Sequence, residues 1–177
     1  TTQAIWEDHP EKVLGCTAEF VKKYPNTARA LLMAGLDAAR YIEQAKNRPQ
    51  VAKLISGKSY VNAPPEIILG RFLGQYDNGN GKKWQDAHAM RFLQEGASFP
   101  YYSDGMWFMT QHKRWGLLKA DVDYLAVARQ INQVDLYKQA ATQLKVPLPA
   151  SPLRASTLFD GKVWDGSDPK GYAASFA

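Results

Sequence analysis

A chain of 177 residues, 45% hydrophobic and 22% charged, has the composition of one globular domain large enough to bury a core. Its net charge of +5 is spread over pairs such as Lys22-Lys23, Lys82-Lys83 and Lys113-Arg114, with no basic stripe interleaved with stacking rings, which argues against a nucleic-acid partner. No apolar run reaches the roughly 18 residues of a membrane-spanning helix, and the single cysteine, Cys16, excludes an intramolecular disulfide or a thiolate metal cluster.

Thr1-Thr2-Gln3 has neither the basic nor the apolar part of a signal peptide, and a first residue other than Met implies a start set by processing, cloning or proteolysis. Asp8-His9-Pro10-Glu11 predicts a first helix, with Asp8 as N-cap, Pro10 in the first turn and Glu11 completing a capping-box-like pattern. Val13, Leu14, Thr17, Phe20, Val21 and Tyr24 continue it at helical spacing. Cys16 falls among these positions and reads as a small buried hydrophobe; Pro25 ends the helix.

Asn26 then caps a second helix, with Ala28, Leu31, Leu32, Gly35, Ala38, Ala39 and Ile42 on one stripe, until Arg48-Pro49 breaks it. A short helix through Val51, Leu54 and Ile55 and an extended Tyr60-Val61-Asn62-Ala63-Pro64-Pro65 precede a helix carrying Ile68, Leu69, Phe72 and Tyr76. Asp77-Asn78-Gly79-Asn80-Gly81 reads as a tight turn, since it lacks the spaced acidic ligands and distal Glu of a calcium loop. Residues 84–93 predict a short helix with Met90, Phe92 and Leu93 as its apolar side.

The most strongly marked helix lies within residues 99–116. Ser103 is its expected N-cap, Asp104 complements the dipole, Lys113 and Arg114 fill the last turn, and Gly116 follows it. Phe108, Trp115 and Leu118 share a face with Gln111 between them, and Met106 and Met109 occupy a neighbouring one, so packing on more than one side is expected. Asp121 or Asp123 starts a helix with Tyr124, Val127, Ala128 and Ile131 on one face; residues 134–144 form another with Leu136, Ala140, Ala141 and Leu144 inward. Pro147, Pro149 and Pro152 impose an extended tail, tied down by Phe159, Val163 and Trp164 and ending in a turn over residues 172–176. The expected fold class is mainly α, with seven or eight helices and little sheet: a single helical unit over 1–177 on which the tail 147–177 packs.

Catalytic signatures are missing from the sequence. His9, His88 and His112 lack metal-ligand spacing, and no nucleophile elbow, phosphate loop or dinucleotide fingerprint occurs, so the chain does not read as an enzyme. Asp104, His112 and the neighbouring rings form a conceivable ligand platform, but an aromatic stripe at helical spacing is more simply core, and His112-Lys113-Arg114 a wet helix end.

Ser103-Asp104-Gly105-Met106-Trp107-Phe108-Met109-Thr110-Gln111-His112-Lys113-Arg114-Trp115-Gly116 resembles the C-terminal region of the solute-binding proteins of nitrate- and bicarbonate-type ABC transporters. Trp6-Glu7-Asp8-His9-Pro10-Glu11-Lys12-Val13-Leu14-Gly15 is similar to that family's Trp-x-x-His-Pro-Glu-Lys-Val-Leu-Gly run, and Lys22-Lys23-Tyr24-Pro25-Asn26-Thr27-Ala28-Arg29-Ala30-Leu31 to its Lys-Tyr-Pro-Asn-Thr-Ala-Arg-Ala-Leu. Val163-Trp164-Asp165-Gly166-Ser167-Asp168-Pro169 is similar to its closing motif.

The resemblance implies the C-terminal portion of a two-lobed α/β periplasmic-binding-protein fold that closes on a small oxyanion, nitrate/nitrite or bicarbonate. The implied partners are an ABC permease, its ATPase subunit and the N-terminal part of the receptor; the implied location is the periplasm or the outer face of the cell membrane. It also implies that Glu7, next to the Trp of the first run, lies near the cleft. A carboxylate there requires protonation or a cation such as calcium between it and a bound anion, making Glu7 the candidate substrate-binding and metal residue. The alternative is that Glu7 is a first-turn helix acid. Two other functional readings stay open: a regulatory receptor-like domain of a transporter ATPase subunit at the cytoplasmic face, and a stand-alone helical interaction module.

Overall fold

The computed structural model describes residues 2–176 apart from Ala87 and Ala89. These residues form α1 (Ala18–Lys23), α2 (Pro25–Glu43), α3 (Arg48–Ile55), α4 (Pro65–Phe72), β1 (Gln75–Asp77), β2 (Lys83–Gln85), α5 (Tyr102–Arg114), α6 (Tyr124–Ile131), α7 (Val134–Gln143), β3 (Ser156–Thr157), β4 (Val163–Trp164) and α8 (Pro169–Ala174). Among the described residues the fold is mainly α, with eight α-helices, and its strands form two antiparallel hairpins, β1–β2 and β3–β4. The chain divides into two compact units, Ala34–Ser98 on one side and Thr1–Met33 with Phe99–Ala177 on the other. No described helix is long and apolar enough to cross a membrane.

In the unit Ala34–Ser98, Ile42, Ala52, Ile68 and Phe72 make the core, with Phe92 edge-on to Phe72 at 5.7 Å. Glu43 Oε2 accepts the N–H groups of Phe92 and Leu93 at 2.7 and 2.8 Å, and the Arg48 guanidinium donates to the carbonyls of Phe72 and Ile42. The helix expected over residues 84–93 is absent from the described residues there: Trp84 lies in β2, paired with Tyr76 of β1, and the rings stack 5.3 Å apart. The turn decides this. Asp77 Oδ1 accepts the Gly79 N–H and Asn78 Oδ1 those of Asn80 and Lys82, closing the loop that brings the two rings together.

In the other unit, α1 begins at Ala18, with the Thr17 hydroxyl accepting the Phe20 N–H at 3.1 Å. The expected start at Asp8 is therefore overturned. Asp8 has a left-handed φ of 54°, and residues 10–16 carry no helix or strand. Val13, Gly15 and Cys16 are weak helix formers, and Thr17 offers a working cap just beyond them. Cys16 is consequently exposed, not buried. Pro25 opens α2 instead of merely ending α1, because the first helical position needs no N–H.

The α5 helix shows the largest inversion of the sequence reading. Its buried residues are Ser103, Asp104, Met106, Thr110 and Gln111, while Phe108 and Trp115 are exposed. Ser103 is not the cap. Tyr101 precedes the helix without a side-chain cap, and Ser103 Oγ instead accepts the Arg154 N–H at 3.0 Å. The Ser103 carbonyl accepts the Trp164 indole N–H at 2.9 Å. Met106, Tyr124, Ala128 and Trp164 form the core around which this unit is built. Asp123 caps α6 by accepting the Ala126 N–H, and α7 buries Val134, Tyr137, Ala140 and Ala141. Of the three expected tail anchors, Trp164 is buried and Phe159 and Val163 are exposed.

Candidate functional site

The candidate ligand residue, Glu7, sits on a short ordered loop at the start of the chain. Residues Thr2–Ala4 form a 3-10 turn, in which the N–H groups of Ile5 and Trp6 donate to the Thr2 carbonyl at 2.9 and 3.1 Å. Trp6 then bridges antiparallel to Leu158, and the Phe159 N–H donates to the Ile5 carbonyl at 2.9 Å. The Trp6 ring is 5% exposed and lies 4.6 Å from Trp107 of α5. Its indole N–H is buried without a hydrogen-bond partner, an arrangement that costs about 1–3 kcal/mol and is repaid by the burial of the ring.

The chain turns sharply after this anchor. Asp8 adopts its left-handed conformation, which Asp tolerates better than most residues, and its N–H donates to Gln3 Oε1 at 2.6 Å. The His9 ring is held on both sides, 2.9 Å from the Pro10 carbonyl and 2.7 Å from the Thr2 hydroxyl. Glu7 is thus presented, exposed, between a buried ring and a locked turn. It is not a first-turn helix acid, since no helix follows it. Carboxylate oxygens of Glu7 and Asp8 lie within 4.8 Å of one another. Two oxygens at that separation match the ligand spacing of a calcium ion, whose ligand distances are about 2.3–2.6 Å. Asp8, read from sequence as an N-cap, is brought beside Glu7 by this turn.

The rival platform on α5 resolves differently. Asp104 is buried and makes a two-pronged ion pair with Arg154, Nε to Oδ1 at 3.0 Å and Nη2 to Oδ2 at 2.9 Å. Burial pushes its carboxyl above the ordinary Asp value while Arg154 pulls it back. His112 is exposed near the helix end, and its carbonyl closes the last turn by accepting the Leu117 and Leu118 N–H groups. Asp104 is therefore a structural clasp. In the unit Ala34–Ser98, an open groove of about 520 Å³ runs between α4 and the β1–β2 hairpin. Of its charges, Lys83 pairs with Asp77 at 3.2 Å, and Arg71 sits over the Tyr76 ring.

Comparison with known proteins extends these observations to the whole chain. Residues 1–56 match the model of the NMT1-like family. The chain is 38% identical over 181 residues to the nitrate/nitrite binding protein NrtA of Synechocystis sp. (strain PCC 6803), a match covering 99% of this chain and 41% of that protein. It is 32% identical to the bicarbonate-binding protein CmpA of Synechococcus elongatus, covering 98% of this chain and 42% of CmpA. A further match, 34% identical, covers 97% of this chain and 26% of the nitrate import ATP-binding protein NrtC of Synechocystis.

The crystal structure of the periplasmic nitrate-binding protein NrtA from Synechocystis superposes with a TM-score of 0.93 at 37% identity, over 99% of this chain and 47% of that one. The chain thus spans about two fifths of the length of the NrtA and CmpA relatives. In sequence and in fold, the chain is similar to a portion of nitrate/nitrite- and bicarbonate-binding proteins.

Proposed function

We propose that this chain is part of the solute-binding component of an ABC transporter for a small oxyanion, nitrate/nitrite or bicarbonate, and not an enzyme. The observation that carries the reading is the match to NrtA over nearly the whole chain, in fold as well as sequence. The receptor closes a cleft on the anion and delivers it to a permease and ATPase, in the periplasm or at the outer face of the membrane. Glu7 contributes to the cleft. A bare carboxylate repels an oxyanion, so Glu7, with Asp8 beside it, holds a calcium ion that bridges to the ligand. The ion supplies positive charge; the buried Trp6 and the Asp8 turn fix where the carboxylates stand.

A second reading rests on a sequence match alone, that to NrtC: the same fold as a receptor-like domain of a transporter ATPase subunit. Both readings make the chain an anion sensor or carrier, and they differ in which polypeptide it adjoins.

The test is a chimera in which this chain replaces its matched portion of Synechocystis NrtA. Calorimetric titration with nitrate and with bicarbonate, with and without calcium, gives the result. One of the two anions binds only when calcium is present, and Glu7→Gln weakens calcium binding by about 10- to 100-fold. Glu7→Lys supplies the positive charge directly and makes anion binding independent of calcium. Binding of neither anion under any condition overturns the reading.

A further inference from the structure

The loop that joins β1 to β2 holds both Asn-Gly steps of the chain, Asn78-Gly79 and Asn80-Gly81. This dipeptide is chemically labile. The backbone nitrogen of the glycine can attack the side-chain amide carbon of the asparagine, and glycine, with no Cβ, hinders that closure least. By sequence the two steps are alike. In the folded loop they are not.

At the first step both reacting groups are engaged. The Gly79 N–H, whose nitrogen would be the nucleophile, donates to Asp77 Oδ1 at 2.8 Å. Asn78 Oδ1, on the carbon that would be attacked, accepts the N–H groups of Asn80 at 2.9 Å and of Lys82 at 3.1 Å. The Gly79 N–H and Lys83 hold the Asp77 carboxyl below the ordinary Asp value, so it stays an ionised acceptor. At the second step, neither the Asn80 side chain nor the Gly81 N–H takes part in a hydrogen bond among the described residues. Asn80 and Gly81 are both exposed, and a Cβ built on Gly81 would meet nothing within 4 Å. The pair has open space in which to close.

We propose that Asn80 is a site of spontaneous deamidation, and that Asn78 in the same loop is protected from it by three hydrogen bonds. In the reaction, hydroxide or water takes the Gly81 amide proton and the nitrogen closes on Asn80 Cγ. The bond from Cγ to Nδ2 breaks, and ammonia leaves with a proton returned from solvent. The five-membered imide then takes up water at either of its carbonyls and opens to aspartate or isoaspartate. The sum is amide plus water giving acid plus ammonia, with nothing oxidised or reduced. The product carries a new negative charge beside Lys82. Where it is isoaspartate, the main chain is longer between the two N–H groups that Asn78 Oδ1 holds, which loosens the loop.

The test holds the 177-residue chain in mildly alkaline buffer and follows its tryptic peptide 72–82, which contains both steps. Tandem mass spectrometry with electron-based fragmentation locates the conversion and tells isoaspartate from aspartate. In the native chain, with its helical circular dichroism intact, Asn80 converts at least about tenfold faster than Asn78, a factor that three hydrogen bonds of ordinary net strength supply. In the urea-unfolded chain the two rates come together, because the bonds that separate them are gone. Comparable rates at the two positions in the native chain overturn the proposal. So does a preference for Asn80 that is equally large in urea, since it would then belong to the sequence and not to the folded loop. A native chain that changes at neither position while the unfolded chain converts overturns it as well.

Discussion

The Asp104–Arg154 pair shows how a single residue's setting adds to its meaning: Asp104 stands in the first turn of α5, as expected, and is also ion-paired. By sequence Asp104 is a helix-dipole acid; in the structure it is a buried anion held by a guanidinium fork. Removing the fork strands the more deeply buried charge, so Arg154→Ala costs about 3 kcal/mol in urea unfolding, above the cost of Asp104→Asn, which leaves the more exposed guanidinium without its carboxylate. The pH dependence has a definite sign. Burial raises the Asp104 carboxyl, so the folded protein binds that proton more tightly than the unfolded chain. Its contribution improves as pH falls through the raised value towards the ordinary Asp range, and the burial cost is complete above it. Asp104→Asn removes that improvement, which urea midpoints between about pH 7 and pH 3 measure.

Asp165 works the other way. The hydroxyl and N–H of Ser167 hold its carboxyl low, so its stabilisation is present above the ordinary Asp value and lost as pH falls through the lowered one. Gly166, next to it, has a φ of +80°, and an added Cβ would lie 2.7 Å from the Met106 methyl in the core. Gly166→Ala therefore costs at least the roughly 1–2 kcal/mol of a left-handed non-glycine residue, and thermal unfolding shows the loss.

At the scale of elements, the sequence located helices better than it located their ends and faces. Eight helices appear where seven or eight were expected, because helical periodicity and Pro breaks are local signals. The first boundary slipped by nine residues, from the Asp8 cap to the Thr17 cap, since Asp and Thr are both cap-forming residue types and it is the Thr17 side chain that bonds a helical N–H. Thr17→Ala consequently lowers stability by about 1 kcal/mol, read by thermal or urea unfolding, whereas the sequence reading assigns Thr17 to a helix interior with no such loss. The face of α5 was misassigned because Ser103, Thr110 and Gln111 are small or polar and do not announce burial. Ser103 and Asp104 take their partners from Arg154 and Trp164, some fifty to sixty residues away, whereas Thr110 and Gln111 are bonded within α5. The β1–β2 hairpin was missed because a three-residue strand is too short to show alternation.

For the molecule as a whole, the exposed stretch at 10–17 sets the weakest point. Trypsin cleaves the isolated chain after Lys12, whose side chain is 88% exposed, before any bond inside a helix, and mass spectrometry finds a fragment starting at Val13. An early cut within α5 or α7 contradicts this.

The sequence alone determined the helical class and the resemblance to nitrate- and bicarbonate-binding proteins, because periodicity, breakers and long motifs are written in neighbouring residues. Tertiary structure decided the rest: that Asp104 is a clasp, that the Phe108 face looks outward, that Asp8 stands beside Glu7, and that Val13 and Leu14 lie bare. Each of these turns on which distant group meets a given side chain, or on the absence of any such group, and burial and pairing across the chain are not encoded in local spacing.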